Sequence, residues 1–294
     1  MKTYSGALCL LLAGHFPAGR AAYAAQTHCA RYEKAEGLFE KTEFSASLAI
    51  MEALPAKDAH AWDLIGRAQY MLGEFKRASD AFEKAVEMEP SNSSYADWLG
   101  KSYGRRAEHA SPFTAPGYAS KARHAFERAV RLDPSNREAT NDLFEYYLQA
   151  PGFLGGGLDK AEALGLKIAE RDPVEGHWAK ARLAERRKEF GAAEEHLRRA
   201  LDLAPTQVGR AIDLAKFLAQ RGRHEESDRV FLRAEALAPQ SPKVLFERAE
   251  TYVSANRHME RARSYLKRYL SAELTPNDPP RADAEKLLRK ANGI

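Results

Sequence analysis

The chain has 294 residues, of which 44% are hydrophobic and 29% charged, with a formal net charge of +4. That balance excludes an intrinsically disordered chain, and the length is ample for a sizeable core or an elongated repeat array. A mix heavy in Ala, Leu, Glu, Lys and Arg favours helix over strand.

The first two dozen residues stand apart. Lys2 supplies a positive start, Ala7 to Ala13 is apolar, and Ala22-Tyr23-Ala24 offers small residues at the −3 and −1 positions of a cleavage site. This is the pattern of a secretory signal peptide cut after Ala24, and it predicts an exported, bacterial-type protein of the periplasm or beyond. The apolar stretch falls far short of the roughly twenty residues that span a bilayer, and no later segment is apolar enough. Cys9 lacks the small residues that precede a lipidated cysteine. Loss of residues 1–24 removes Lys2 and Arg20 and no acid, leaving 43 basic against 41 acidic residues, a net charge of +2. So near a balance argues against a general electrostatic grip on nucleic acid. Cys29 is then the only cysteine, and no intramolecular disulfide is expected.

Residues 25–58 read as a degenerate helix pair, with Ala46, Ile50 and Ala53 at second-helix spacing. A pattern recurring about every thirty-four residues follows. Its clearest copy comprises Trp62, Ile65, Gly66, Tyr70, Gly73, Phe75, Ala78, Phe82, Ala85 and Pro90. Leu99, Gly100 and Tyr103 with Ala122, Phe126, Ala129 and Pro134 form the second copy. Leu143, Phe144 and Tyr147 with Ala161, Ile168 and Pro173 form the third; Trp178 and Ala181 with Ala193, Leu197, Ala200 and Pro205 form the fourth. The fifth has Leu214, Ala215, Leu218 and Gly222, then Phe231, Ala234 and Pro239, and the sixth Leu245, Ala249 and Tyr252, then Ala262, Leu266 and Tyr269. Prolines closing the second helices are spaced by 44, 39, 32 and 34 residues. Two repeats therefore carry insertions, near 104–120 and 151–158, each between a first and a second helix, and repeat four is slightly trimmed. Arg281 to Asn292, after Pro279-Pro280, reads as a polar capping helix.

Trp62-x2-Ile65-Gly66, followed by Ala78-x3-Phe82 and a closing Pro90, resembles the tetratricopeptide repeat. The resemblance implies an all-α fold, a right-handed α-solenoid of antiparallel helix pairs, with about six repeats in 59–275 and a cap in 276–294. One pair cannot bury its apolar face alone, so stacking in series makes a continuous core. Gly66, Gly100, Ala181 and Ala249 sit where the helices of a pair approach closely, as do Ala78, Ala122 and Ala193. Trp62, Tyr103 and Phe126 fill the space between repeats.

In such arrays the first helix of each repeat lines a concave groove. The resemblance places ligand contacts at His60, Asp63, Arg67 and Tyr70 of repeat one, and at Asp97 and Lys101, with Arg105, of repeat two. Asn141 and Glu145 follow from repeat three, Trp178 and Arg182 from repeat four, Lys216 from repeat five and Phe246 from repeat six. Arg67, Lys101, Arg105 and Arg182 are positioned to clamp a carboxylate. Asp63 stands where the acidic C-terminus readers of the family want an Asn, so that specificity is not implied. The insertions are expected to project from one edge as a partner-binding lip, with Phe113, Tyr118, Phe153 and Leu154 gathered beside Arg105 and Arg106; a structural elaboration of the groove edge is the competing reading. Gly155-Gly156-Gly157 reads as a flexible joint, because no Gly-Lys-Ser/Thr follows and no strand precedes it.

The histidines are scattered without a metal-ligand spacing, no nucleophile elbow occurs, and Glu194 with Arg198 is an ordinary surface pair. No metal, cofactor or catalytic role is expected. The reading is a non-catalytic scaffold of the cell envelope holding a peptide or protein segment. A self-associating structural component is one alternative; a carrier of a glycan or lipid fragment against Tyr70, Trp178 and Phe246 is the other.

Overall fold

Four polar residues set the phase of the array. Asp58 accepts a hydrogen bond from the Ala61 amide at 2.8 Å, Asn92 from Ser94 and Tyr95, Asn136 from Ala139, and Asp172 from Val174 and Glu175. Each thereby satisfies amides that the first turn of a helix leaves open. The computed structural model describes residues 30–275 and 277–293; the expected signal segment, its cleavage site and Cys29 lie outside the described residues.

Seven helix pairs follow one another. They are α1 (30–40) with α2 (Phe44–Glu52), α3 (Ala59–Met71) with α4 (Phe75–Met88), and α5 (Ser93–His109) with α6 (Ala115–Leu132). Next come α7 (Arg137–Gln149) with α8 (Leu158–Arg171), and α9 (Pro173–Arg187) with α10 (Phe190–Leu203). The last are α11 (Val208–Gln220) with α12 (His224–Leu237) and α13 (Pro242–Ser254) with α14 (Met259–Ser271), capped by α15 (Arg281–Ala291). Among the described residues there is no strand. The first helices α3, α5, α7 and α9 touch in series and form an inner row; α11 and α13 touch likewise, but α9 and α11 stand apart.

Packing between paired helices follows the small positions. A Cβ on Gly66 would lie 2.8 Å from the Phe82 ring, and one on Gly100 2.6 Å from Phe126. Ala78, Ala181, Ala193 and Ala249 are fully buried at the corresponding contacts.

Several of the turns joining a first to a second helix pass through a left-handed residue. Gly73 (φ 81°) and Gly222 (φ 75°) supply it without strain, whereas repeat four uses Lys188 (φ 62°) and repeat six Asn256 (φ 50°). A side-chain-bearing residue there costs about 1–2 kcal/mol, partly offset by glycine's greater freedom in the unfolded chain. Lys188→Gly is therefore expected to raise stability by about 0.5–1 kcal/mol, read as an upward shift in thermal unfolding. A downward shift would show that the Lys188 side chain contributes more than its backbone costs.

Three expectations change. The first insertion is mostly helix: α5 and α6 run to 17 and 18 residues, leaving only 110–114 between them. Pro173 lies two residues beyond α8 as expected, but it also opens α9, so Asp172 alone joins the two helices. Proline suits the first helical turn, where an amide has no partner; the trimming of repeat four is thus the loss of the linker before it. Gly155, Gly156 and Gly157 form a fixed turn, their amides bonded to the carbonyls of Gly152, Pro151 and Tyr147. A Cβ on Gly156 would fall 1.9 Å from the Ala150 carbonyl oxygen, so a close backbone approach requires the glycine.

Candidate functional site: the inner face of the first helices

On α3 the Arg67 guanidinium lies 3.0 Å from Asp63 and 5.3 Å from the centre of the Trp98 ring on α5. Lys101, one turn along α5, lies 4.5 Å from the same ring. Its ammonium sits 3.0 Å from Asp97 and 3.3 Å from Asp142 of α7, and also bonds Glu138 of α7. Burial pushes the Asp97 carboxyl up to about 7 against the pull of Lys101. Burial raises Asp63 and Asp142 too. For Lys101 burial acts to lower the pKa, but Asp97, Asp142 and Glu138 together hold it above the ordinary lysine value.

The pattern continues along the row. Arg182 of α9 grips Glu145 of α7 with Nε and Nη2, at 2.8 and 3.1 Å, and bonds Glu185 on its own helix. Lys216 of α11 donates to Glu250 at 2.9 Å and to Glu247, both on α13. Arg67, Lys101 and Arg182 are therefore not open clamps: each already holds a carboxylate of this chain. Asp63 and Asp97 are buried counter-ions, not groove contacts. The sequence carried a signal for the cross-repeat partners, since Lys101–Glu138 and Glu145–Arg182 are each 37 residues apart and Lys216–Glu250 is 34, close to one period.

The remaining expected residues divide. Tyr70 is half-buried between Phe75 and Trp98, with ring centres 5.3 and 5.4 Å away. His60 stacks on Tyr32 and lies 2.7 Å from Glu36, tying α3 to α1. Arg105 leans over the Phe75 ring at 4.8 Å and pairs with Glu108. Asn141 is half-buried, its Oδ1 without a hydrogen-bond partner among the described residues. Phe246 is in the core against Tyr269, at 5.3 Å, because on α13 the inner face falls one residue later, at Glu247 and Glu250.

The lip does not gather. Tyr118 stacks on Tyr103 and accepts a 2.7 Å hydrogen bond from Arg106, which also donates to Ser79. The Leu154 carbonyl accepts from Tyr146 at 2.9 Å. Phe113 and Phe153 are 96% and 83% exposed, without a ring contact between them among the described residues.

Where α9 and α11 part, a cavity of about 360 Å3 opens, which sequence reasoning missed. Trp178 and Arg182 wall one side, Arg210, Asp213, Lys216 and Phe217 the other, and Lys243 of α13 sits at its edge. Trp178 is fixed by Phe144, 5.5 Å away. Arg210 is held between Asp213 (3.4 Å) and Glu175 (3.7 Å), yet its buried Nε and Nη1 complete no hydrogen bond. Lys243 is exposed and has no ion pair within 4.0 Å among the described residues. Burial raises the Asp213 carboxyl, against Arg210 and Lys243.

Residues 59–92, spanning α3, α4 and the cap of α5, match the tetratricopeptide repeat family. A tetratricopeptide repeat protein from Parabacteroides merdae ATCC 43184 is similar over 91% of this chain and 99% of its own, with a TM-score of 0.56 and 18% identity. A thermophilic TPR protein of Thermus thermophilus is similar over 64% of this chain and 97% of its own, with a TM-score of 0.52 and 21% identity. No curated protein matches the sequence. No described helix is long and apolar enough to cross a membrane. The fold is that of a tetratricopeptide solenoid, an architecture that generally mediates contact between proteins.

Proposed function

We propose that the chain is a non-catalytic interaction scaffold of the cell envelope that holds a peptide or protein segment along the inner row, with an acidic group of that segment between α9 and α11. The observation that carries this reading is the cavity itself: Lys243, exposed and without an ion pair among the described residues, lines a space walled by Trp178 and Phe217. A cation with no counter-ion of its own attracts a carboxylate, and flanking aromatic rings take apolar side chains. The segment's carboxylate would pair with Lys243, and the two rings would hold the apolar part. Envelope placement rests on the signal-peptide pattern of residues 1–24.

The test is crosslinking in intact host cells of the tagged chain, beside Arg210→Ala and Lys243→Glu variants of unchanged helicity. A hydrogen bond to a charged group is worth about 1.5–3 kcal/mol, so Lys243→Glu should weaken capture roughly ten- to hundredfold. A captured protein retained equally by both variants would refute the cavity as the reading site. The exposed Phe113 and Phe153 rings favour a second reading, self-association. A mass that rises with concentration and falls back in Phe113→Ser, Phe153→Ser would select it.

A further inference from the structure

Repeat four brings together two histidines that the sequence keeps nineteen residues apart. His177 of α9 and His196 of α10 face each other across the antiparallel pair, Nδ1 to Nδ1 at 3.2 Å, with rings inclined by 48°. Two nitrogens bound tetrahedrally to zinc, at about 2.0–2.1 Å each, are separated by about 3.3 Å. A square-planar centre at similar bond lengths would bring adjacent nitrogens to about 2.9 Å, so the spacing suits a tetrahedral ion.

We infer that His177 and His196 form a two-imidazole chelate for a divalent transition metal of tetrahedral preference, with zinc as the best match. The site lies away from the inner row and is independent of the segment-binding reading. His196 lines a cavity of about 160 Å3 bounded also by Glu162, Leu166 and Lys180. Both imidazoles are held below the ordinary histidine value, chiefly by burial, and by each other's charge in the case of His177. Around the pair, Lys180 and Arg199 oppose an added positive charge and Glu195 favours it, so the metal is held by the imidazoles and not by a general acidic field. The contrasting cluster of Asp97, Glu138 and Asp142 has the ligand types but not the vacancy: Lys101 occupies its centre.

The experiment is calorimetric titration of zinc into the chelator-treated full chain, beside His177→Ala, His196→Ala and the double variant. His28→Ala and His258→Ala serve as controls for the other seven of nine histidines. Second-sphere changes alone cost metal sites about 10–100-fold, so losing a ligand should weaken zinc at least tenfold. The double variant should bind zinc no more tightly than either single one. Nitrogen-detected NMR should show both Nδ1 resonances moving together on zinc addition. His196→Asn, which keeps a polar group in place, guards against a folding defect. Equal zinc affinity in wild type and His196→Asn, or Nδ1 signals unmoved by zinc, would overturn the assignment and leave the pair as a hydrogen bond between neutral rings.

Discussion

Replacing Lys101 by methionine is expected to lower stability by about 3–5 kcal/mol at pH 8, the usual cost of removing one partner from a buried ion pair. The Lys101 side chain is 15% exposed and Asp97 only 3%, so solvent cannot substitute for the ammonium. Its removal leaves Asp97, Asp142 and Glu138 facing one another across the joint between repeats two and three. The cost should shrink on acidification, and the sign can be worked out. Asp97 is raised to about 7 in the folded chain, against about 3.9 for an unfolded aspartate. The native state therefore holds that proton more tightly, and the group's contribution is full below about pH 4 and lost as pH rises through about 7. In wild type, stability should fall from pH 5 to pH 8 through this group, and Asp97→Asn should flatten the slope. Arg223 holds Glu194 and Glu226 below their ordinary values, so their contribution is lost only on stronger acidification, through and below about pH 4. Urea unfolding followed by circular dichroism at both pH values decides the matter. A Lys101→Met penalty that is small, or equal at pH 5 and pH 8, would show that water reaches the cluster.

That cluster marks the boundary of what the sequence discloses. The small positions at close helix approaches could be read directly, but not their partners: Phe126, expected between repeats, packs on Gly100 within its own pair. Gly66 with Phe82 is separated by 16 residues and Gly100 with Phe126 by 26, and the ten-residue difference is the first insertion. The form of that insertion was hidden. Gly104, Pro112, Pro116 and Gly117 look like loop punctuation, yet Pro116 falls in the first turn of α6, where its missing amide costs nothing. The resemblance to the tetratricopeptide repeat places Lys101, Arg182 and Lys216 on the inner face, but it does not give their state. A cation reads the same in a sequence whether it awaits a ligand or already holds Glu145 or Glu250 from a neighbouring repeat. The cavity between α9 and α11 was hidden for a different reason. It arises from the spacing of two helices that are not neighbours in sequence, and no single residue encodes it.

Truncation of Phe82 to alanine is expected to cost about 3–5 kcal/mol, the range for emptying a phenylalanine site in a closed core. Phe82 is fully buried against Gly66, and its ring stacks on Trp98 at 5.9 Å and 15°. Since Trp98 in turn carries Arg67 on one approach and Lys101 on another, its loss should loosen the inner face as well as the core. The converse change, Gly66→Ala, places a methyl 2.8 Å from a ring that has nowhere to move. Overpacking of that kind costs about 1–3 kcal/mol, which outweighs the roughly 1 kcal/mol that alanine gains over glycine in a helix. The two sites should therefore be coupled. In Gly66→Ala with Phe82→Leu the methyl occupies part of the space the smaller side chain vacates, and the double variant should be more stable than the summed single changes by about 0.5–3 kcal/mol. Chemical denaturation followed by tryptophan fluorescence, in a background with Trp62 and Trp178 replaced by phenylalanine, measures all four corners of this cycle and reports on Trp98. Strict additivity would mean that α3 and α4 shift apart to admit the methyl. A shift of α3 would also move Arg67 relative to the Trp98 ring on α5, so the same variant should then show altered Trp98 emission.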